Sequence, residues 1–308
     1  MDDKYMKRAL QLAGGGEGRV APNPLVGAVI VAEGRIIGEG FHRTFGGPHA
    51  EVNAIRSVRE ADRRLLRDST IYVTLEPCSH YGKTPPCAKL IVETGIPRVV
   101  VGAPDPNPLV AGRGIRMLRD AGIEVTENVL LKECLEINRR FMTAQTQKRP
   151  WILLKWAQSA DGFMAALDKD GNPEPVRFSS PLSSVWMHRE RASVEAIMVG
   201  ANTQRIDAPR LDVRFWGGKN PLVIPCGKDM DCTALVEDLH KKGIDSLMVE
   251  GGPTLLKSFI KSGLFDEIRI ETAPISLGCG LKAPRLPEEL SLVSVSTCRQ
   301  NQIEVFRR

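Results

Sequence analysis

Length, composition and charge indicate a globular chain of two domains and argue against nucleic-acid binding and membrane association. Its 308 residues exceed one usual hydrophobic core, and 42% hydrophobic with 26% charged residues is an ordinary globular composition. A net charge of +5 with only 5% aromatic residues does not indicate nucleic-acid binding, whereas phosphorylated small molecules suit this sign. The amphipathic start MDDKYMKRALQLA has no continuous apolar run, so we expect no signal peptide, no membrane partner and a cytoplasmic location. Seven cysteines then favour thiols or a metal over disulfides.

The first half of the chain alternates helices and strands. A helix with apolar spacing is followed by two strands that turn at Glu33-Gly34, which predicts a hairpin. This alternation predicts a mixed sheet with helices on both faces. The predicted helices cover residues 5–13, 50–61, 86–94, 114–121 and 132–144, and the strands after the hairpin cover 70–75, 98–103 and 123–125.

A boundary between two domains is predicted where a polar stretch ends at Pro150. An apolar strand begins at Trp151, and proline disfavours a helix that continues into it. We therefore predict domains over residues 1–147 and 148–308, the second with its own alternation. Its predicted helices cover 181–192, 233–242 and 254–262, and its strands 151–156, 196–200, 246–250, 267–272, 291–296 and 302–307.

The first candidate site begins in FGGPHAEVNAI, residues 45–55, at the start of a predicted helix. His49 and Glu51 lie on its first turn, where an exposed acid favoured by the helix dipole is the simpler interpretation. Further on, in EPCSHYGKTPPC, Cys78 follows a strand and Cys87 begins a helix, whose N-terminus favours a thiolate. One imidazole and two thiolates leave a position open on tetrahedral Zn²⁺, which is the pattern of a catalytic site.

These residue types together predict a hydrolytic deaminase. Zinc lowers the pKa of a bound water towards neutrality. Glu51 is not needed as a metal ligand, so it can take the water's proton and pass it to a ring nitrogen and a leaving amine. Zinc deaminases share H-x-E with P-C-x-x-C, although here eight residues separate the cysteines. The alternative for Cys78 and Cys87 is a pair of buried structural thiols. We predict His49, Cys78 and Cys87 as metal ligands and Glu51 as the catalytic residue.

Four segments together closely resemble one family, the bifunctional riboflavin-biosynthesis proteins, in which a pyrimidine deaminase is fused to a reductase. They are NPLVGAVIV, GEGFHRTFGGPHAE, EPCSHYGKTPPC and GAPDPNPLVAGRG. The longer cysteine spacing is the form that this family uses. The resemblance covers essentially the whole chain and implies an α/β fold in both halves: a cytidine-deaminase-like mixed sheet sandwiched by helices, then a dihydrofolate-reductase-like domain.

The resemblance implies two reactions with one zinc ion and NADPH as cofactors. The first domain would remove the 2-amino group of 2,5-diamino-6-(5-phosphoribosylamino)pyrimidin-4(3H)-one by hydrolysis. The second would reduce the ribosyl group of the resulting 5-amino-6-(5-phosphoribosylamino)uracil to ribityl. Because the family often self-associates, a homo-oligomer is possible. Asn23, His42, His80 and Lys83 are implied around this phosphoribosyl-pyrimidine substrate, with a turn before Pro24 as the alternative for Asn23 and a surface position for His42.

In the second domain, VEGGPTLLKSFI is a strand, a Gly-Gly turn and a helix whose N-terminus suits an anion. With LLKWAQSADG and IMVGANTQRIDAPRLDVR it resembles the reductase half of the family. The resemblance implies NADPH contacts from Gln158, Thr203, Asp207, Gly252, Pro253, Thr254 and Leu255. It also implies that Arg191, Leu211, Arg214 and Glu250 face the substrate, and that Lys155, Ser159 and Asp161 shape the hydride-transfer site. A turn before Gly162 is the alternative for Asp161, and a surface arginine for Arg214.

Two departures from the family pattern leave a second hypothesis open. Arg177 and Phe178 stand where the family commonly has an aromatic residue. Residues 220–233 are shorter than the counterpart that supplies a strand and part of the cofactor wall. The chain could therefore be a deaminase whose second domain binds substrate but reduces poorly. A non-catalytic binding protein, which would lack zinc, and a deaminase of nucleic-acid bases are the remaining alternatives, and Cys226 and Cys232 are interpreted as ordinary thiols.

Overall fold

The structure, a computed structural model, describes residues 2–81, 85–107, 111–207, 209–227 and 230–308, with only the backbone at 202, 206 and 207. The chain divides into two compact units, Met1–Gln147 and Lys148–Arg308. None of the described helices combines the length and the apolar character needed to cross a bilayer.

Unit 1 contains a five-stranded sheet in the order β2-β1-β3-β4-β5. Strand β1 pairs antiparallel with β2 and β3, whereas β3, β4 and β5 run parallel. The β1–β2 hairpin turns at Glu33 and Gly34, whose φ angles of 52° and 73° suit the right-handed twist of the strands. The strands are β1 Gly27–Ala32, β2 Arg35–Phe41, β3 Thr70–Leu75, β4 Arg98–Ala103 and β5 Glu124–Thr126.

Helices cover both faces of this sheet, as the alternation predicted. Alternate strand residues point to opposite faces, so Ile30 and Val99 pack in one core with α2, α3 and α4. Val29 and Val100 pack in the other core with α1, α5 and residues of α6. The helices are α1 Asp2–Gly14, α2 Ala50–Ser57, α3 Cys87–Thr94, α4 Arg113–Asp120, α5 Leu131–Ile137 and α6 Arg139–Gln147, with a 3₁₀ helix at Glu60–Asp68.

Two predicted helices of unit 1 have different bounds in the structure. Helix α2 ends at Ser57 rather than at residue 61, and the 3₁₀ helix follows it. The helix predicted over 132–144 is two helices with a break at Asn138. The buried Asn138 side chain accepts a hydrogen bond from the Leu25 N–H at 2.7 Å and donates one to the Leu25 carbonyl at 2.9 Å. This contact ties the break to a distant segment.

Helix α2 approaches strand β2 so closely that only glycine fits at the contact, and we expect Gly40→Ala to destabilise unit 1. An added Cβ at Gly40 would lie 2.3 Å from the Ala54 nitrogen and 2.5 Å from the Ala50 carbonyl oxygen. Overpacking of this kind costs about 1–3 kcal/mol, which calorimetry would register as a lower unfolding temperature. Gly14→Ala is the control, because its Cβ would meet nothing within 4 Å. Equal unfolding temperatures for the two variants would contradict this account.

Unit 2 contains a seven-stranded sheet in the order β10-β9-β11-β6-β12-β15-β14 and a small sheet β13-β7-β8. Strands β10, β9, β11, β6 and β12 run parallel, so their carboxyl ends share one edge, where α/β proteins place ligands. The strands are β6 Trp151–Ser159, β7 Phe163–Leu167, β8 Pro173–Glu174, β9 Ala196–Val199, β10 Leu222–Pro225, β11 Ser246–Glu250, β12 Glu267–Ala273, β13 Leu281–Lys282, β14 Ser291–Cys298 and β15 Asn301–Arg307. The helices are α7 Pro181–Ala192, α8 Ala201–Asp207, α9 Cys232–Lys241 and α10 Pro253–Lys261.

The shortened segment over 220–233 keeps a strand. Strand β10 forms the sheet edge beside β9, with Leu222 paired to Ala196 and Pro225 to Val199. Although residues 220–233 are shorter than their counterpart in the family, they still form the strand that the counterpart supplies. Strands β7, β8, β10 and β13 and helix α8 were not predicted.

Candidate functional site

Three candidate ligand atoms converge in unit 1. His49 is the N-cap of α2, Cys78 follows β3, and Cys87 is the first residue of α3. The His49 Nδ1 atom lies 3.6 Å from Cys78 Sγ and 3.4 Å from Cys87 Sγ, and all three atoms lie within 4.8 Å of one another. Tetrahedral zinc holds nitrogen and sulfur ligands about 3.5–3.8 Å apart. The donor set and its spacing therefore fit zinc.

The two cysteine sulfurs form a pair whose pKa values move in opposite directions. The hydrogen bond from the Cys87 thiol, supported by the Cys87 N–H at 3.2 Å and by His49, lowers the pKa of Cys78 to about 4. The same hydrogen bond raises the pKa of Cys87, and burial raises it further. A bound cation would displace the remaining proton, because metals bind the thiolate form of cysteine.

Glu51 lies on the first turn of α2 and is not one of the clustered ligands. Its side chain is buried, with 3% exposure. Burial, followed by the charge of the Cys78 thiolate, raises the pKa of Glu51 to about 7. A carboxyl in such surroundings can both accept and release a proton near neutral pH. The structure thus places a buried carboxyl with a raised pKa beside the three converging ligand atoms.

His42 and Asn23 form a polar wall beside His49. The His42 ring is buried, and its Nδ1–H donates to the Pro48 carbonyl at 3.0 Å. In this tautomer its Nε2 accepts from Asn23 Nδ2 at 3.1 Å, and the His42 and His49 rings meet edge to face at 5.5 Å. Burial lowers the pKa of His42, so the ring is neutral. His80 is exposed in the segment after Cys78, and Lys83 lies outside the described residues.

Glu76 is a structural residue of this site that the sequence analysis missed. One of its buried carboxylate oxygens accepts from the Asp105 N–H at 3.3 Å and the Gly112 N–H at 3.0 Å. The other accepts from the Gly114 N–H at 3.0 Å and the Ile115 N–H at 3.3 Å. The carboxylate therefore ties the end of β3 to the start of α4. The sequence signal that could have identified Glu76 is its position directly before Pro77-Cys78, where a strand ends.

Unit 2 contains an open cavity of about 940 Å³ at the carboxyl ends of its parallel strands. Most residues predicted to contact NADPH or substrate line it, namely Thr203, Leu211, Glu250, Gly252, Pro253, Thr254 and Leu255, together with Lys155 and Arg177. Gln158 lies outside this described wall and accepts a hydrogen bond from Trp156 Nε1 at 2.8 Å. Asp207 ends helix α8, and its side chain is outside the described part.

The two arginines predicted to face the substrate, whose guanidinium groups would suit its phosphate, pair with carboxylates of the chain in this structure. Arg191 donates to both oxygens of Glu250, at 3.2 and 2.7 Å. Burial would raise the pKa of Glu250, but Lys155 and Arg191 lower it, so this residue is a carboxylate. Arg214 pairs with Asp212 and lies outside the described cavity wall. A phosphate role for either arginine requires a rearrangement of these pairs.

Ser159 and Asp161 make local hydrogen bonds that shape a turn. Ser159 Oγ donates to the Asp161 carboxylate at 2.6 Å. That carboxylate also accepts from the backbone N–H groups of Leu277 at 3.1 Å and Gly278 at 2.7 Å. The Ser159 hydrogen bond, followed by these backbone groups, lowers the pKa of Asp161 to about 2. The geometry favours the turn interpretation of Asp161.

Comparison with known proteins identifies both units. Residues 1–103 match the cytidine and deoxycytidylate deaminase zinc-binding region, and residues 150–227 and 222–308 match the RibD C-terminal domain. The riboflavin biosynthesis protein RibD of Aquifex aeolicus is 40% identical over 325 residues, covering 91% of this chain and 89% of the relative. The chain belongs to the RibD family. The RibD of Escherichia coli is 34% identical and covers 90% of this chain and 89% of its own length.

Solved RibD structures have the same fold over the whole chain. A deaminase/reductase of Thermotoga maritima superimposes with a TM-score of 0.89 at 36% identity, covering 99% of this chain and 98% of that one. Acinetobacter baumannii RibD gives a TM-score of 0.87 at 29% identity with the same coverage. The predicted fold class is confirmed, as is riboflavin biosynthesis by a zinc-binding deaminase domain and a reductase domain. Nothing in these comparisons favours the deaminase-only alternative.

Proposed function

We propose that this chain performs both reactions that the resemblance implies, with zinc in unit 1 and NADPH in unit 2. The substrate is 2,5-diamino-6-(5-phosphoribosylamino)pyrimidin-4(3H)-one, and its deaminated product is then reduced at the ribosyl group. The observation that carries the proposal is the convergence of His49, Cys78 and Cys87 beside the buried, unliganded Glu51. The solved Thermotoga maritima relative is described as a deaminase and reductase of this pair of compounds.

In the deaminase site, each group has a chemical task that its surroundings support. His49, Cys78 and Cys87 would hold zinc, which supplies a hydroxide nucleophile by lowering the pKa of water. Glu51 takes a first proton from the attacking water and delivers it to the ring nitrogen as the hydroxyl adds to the carbon. It then takes the second proton from that hydroxyl and delivers it to the amine, which leaves as ammonia when the C–N bond breaks and the carbonyl forms. Its burial keeps these transfers away from bulk solvent. Neutral His42 and Asn23 present polar atoms of fixed orientation to the pyrimidine ring.

In the reductase cavity, the chain positions two ligands rather than supplying a strong acid or base. NADPH, when bound, supplies the hydride. The N-terminus of α10 has no side-chain cap, so the N–H groups of Thr254 and Leu255 are available to a pyrophosphate. A Cβ at Gly251 would lie 2.9 Å from a Leu255 methyl carbon, so the backbone of this turn lies directly against the Leu255 side chain. Glu250 and Lys155, register partners on β11 and β6, face the substrate side.

The experiment that tests both halves supplies the diaminopyrimidine phosphoribosyl substrate and follows ammonia and NADPH absorbance separately. We expect one zinc per chain, ammonia release, and oxidation of NADPH in equal amount to the ammonia. Ammonia release without NADPH oxidation would support the deaminase-only alternative and overturn the reductase proposal. A purified chain without zinc and without ammonia release would overturn the deaminase proposal. A homo-oligomer and a cytoplasmic location remain predictions from the sequence.

A further inference from the structure

Two guanidinium groups in the cavity of unit 2 have no anionic partner among the residues that the structure describes. Among the described residues that line the cavity, the charged ones are Lys155, Arg177, Arg205 and Glu250. Glu250 is already paired with Arg191, and Lys155 is its register partner on the adjacent strand. Arg177 and Arg205 are exposed, and neither forms an ion pair within the described part of the chain. The cavity therefore offers two cations to phosphorylated ligands.

These two arginines lie on opposite sides of the Gly-Gly turn that precedes α10. Helix α8, which carries Arg205, follows β9, and β9 lies between β11 and the edge strand β10. Arg177 lies on the other side, because the adjacent Phe178 carbonyl accepts from Asn301 at 3.0 Å and Ser179 donates to Glu271 of β12 at 2.7 Å. The turn and α10 follow β11, between the two.

This layout indicates which way round a dinucleotide would lie along the sheet edge. The inference rests on the proposed reductase function. A pyrophosphate at the α10 N-terminus leaves the two nucleoside halves to extend in opposite directions along the sheet edge. The nicotinamide must meet the substrate, on the side of Lys155 and Glu250. The adenosine half then extends towards β9 and β10, where the described wall is formed by Arg205 and uncharged residues, including Cys226, Met230, Cys232 and Ser258.

We propose that Arg205 binds the 2′-phosphate on the adenosine ribose of NADPH and thereby selects NADPH over NADH. The two cofactors differ only in that phosphate, and a guanidinium pairs with phosphate through two parallel hydrogen bonds. Helix α8 is close to the turn, since Thr203 Oγ1 would lie 3.9 Å from a Cβ at Gly252. Arg205 on this short helix is therefore within the reach of a ribose attached to the pyrophosphate.

The test compares two nucleotides that differ by the 2′-phosphate, adenosine 2′,5′-bisphosphate and adenosine 5′-monophosphate, by calorimetric titration of the full chain. We expect Arg205→Gln to weaken binding of the bisphosphate about 10- to 100-fold and to leave the monophosphate unchanged. The KM for NADPH should rise with the KM for NADH unchanged, and Arg205→Lys should restore part of the preference. Arg210→Gln, at an exposed arginine outside the described cavity wall, controls for the loss of one positive charge.

Different outcomes overturn different statements. If the unaltered chain prefers the bisphosphate and Arg205→Gln keeps that preference, the assignment of Arg205 is wrong and the reductase proposal stands. An equal loss for both nucleotides would also refute it, because the effect would then not concern the 2′-phosphate. If the unaltered chain binds neither nucleotide and does not oxidise NADPH, the proposed reductase function fails and Arg205 loses its assignment with it.

Discussion

Glu51→Gln is expected to slow ammonia release by about 10²- to 10⁴-fold, the usual contribution of a positioned general acid–base residue. Glutamine has the shape of glutamate but cannot take a proton from water or deliver one to an amine. The side chain is buried, with 3% exposure, so no solvent group can replace it directly. Zinc should remain bound at one ion per chain, because the clustered ligand atoms belong to His49, Cys78 and Cys87. Ammonia assays and metal analysis on the same preparation check both statements.

A matched control separates this effect from a general loss of acidic charge. Glu93 on α3 is exposed and pairs with Lys89 one turn earlier, so Glu93→Gln should leave ammonia release within a factor of about two. Oxidation of NADPH with the deaminated aminouracil supplied directly should be unchanged in both variants. A Glu51→Gln enzyme that keeps its rate would remove the assigned proton carrier. One that loses zinc would show that this residue supports the metal instead.

The regular elements of the fold could be predicted from the sequence because their signals are local. Strand β3 and helix α7 have the predicted bounds, since apolar periodicity and the Ser180-Pro181 start mark them without reference to the rest of the chain. The break at Asn138 could not be predicted, because it depends on hydrogen bonds to Leu25, 113 residues away. Strands β8 and β13 have two residues each, too few for any periodicity, and exist through pairing with β7.

The candidate site shows the same division between local and distant information. The residue types and spacing of His49, Glu51, Cys78 and Cys87 indicated a zinc site, because each chemical requirement is visible in a short motif. Glu76 was missed because its function is to satisfy four backbone N–H groups that only the folded chain brings to it.

The site residues of the second domain were harder to predict from the sequence for a related reason. Arg191 and Glu250 are predicted to face the substrate, and in the structure they also pair with each other across 59 residues of sequence. A charged side chain has no sequence signal that distinguishes a ligand contact from an internal ion pair. The folded chain shows which arginines have partners: Arg191 pairs with Glu250, whereas Arg177 and Arg205, which line the cavity, have no anionic partner among the described residues.

Cys87→Ala is expected to abolish zinc binding and ammonia release together, and to lower the unfolding temperature of unit 1. Two remaining ligands cannot hold zinc at a site built for three, and zinc stabilises a folded state that alone brings the ligands together. A chelator should therefore lower the calorimetric transition of the unaltered chain but not of the variant. NADPH oxidation with the supplied aminouracil should persist, because the residues assigned to it belong to unit 2. Cys279→Ala, at an exposed thiol, should behave as the unaltered chain. Full zinc content and ammonia release in Cys87→Ala would show that the metal has other ligands.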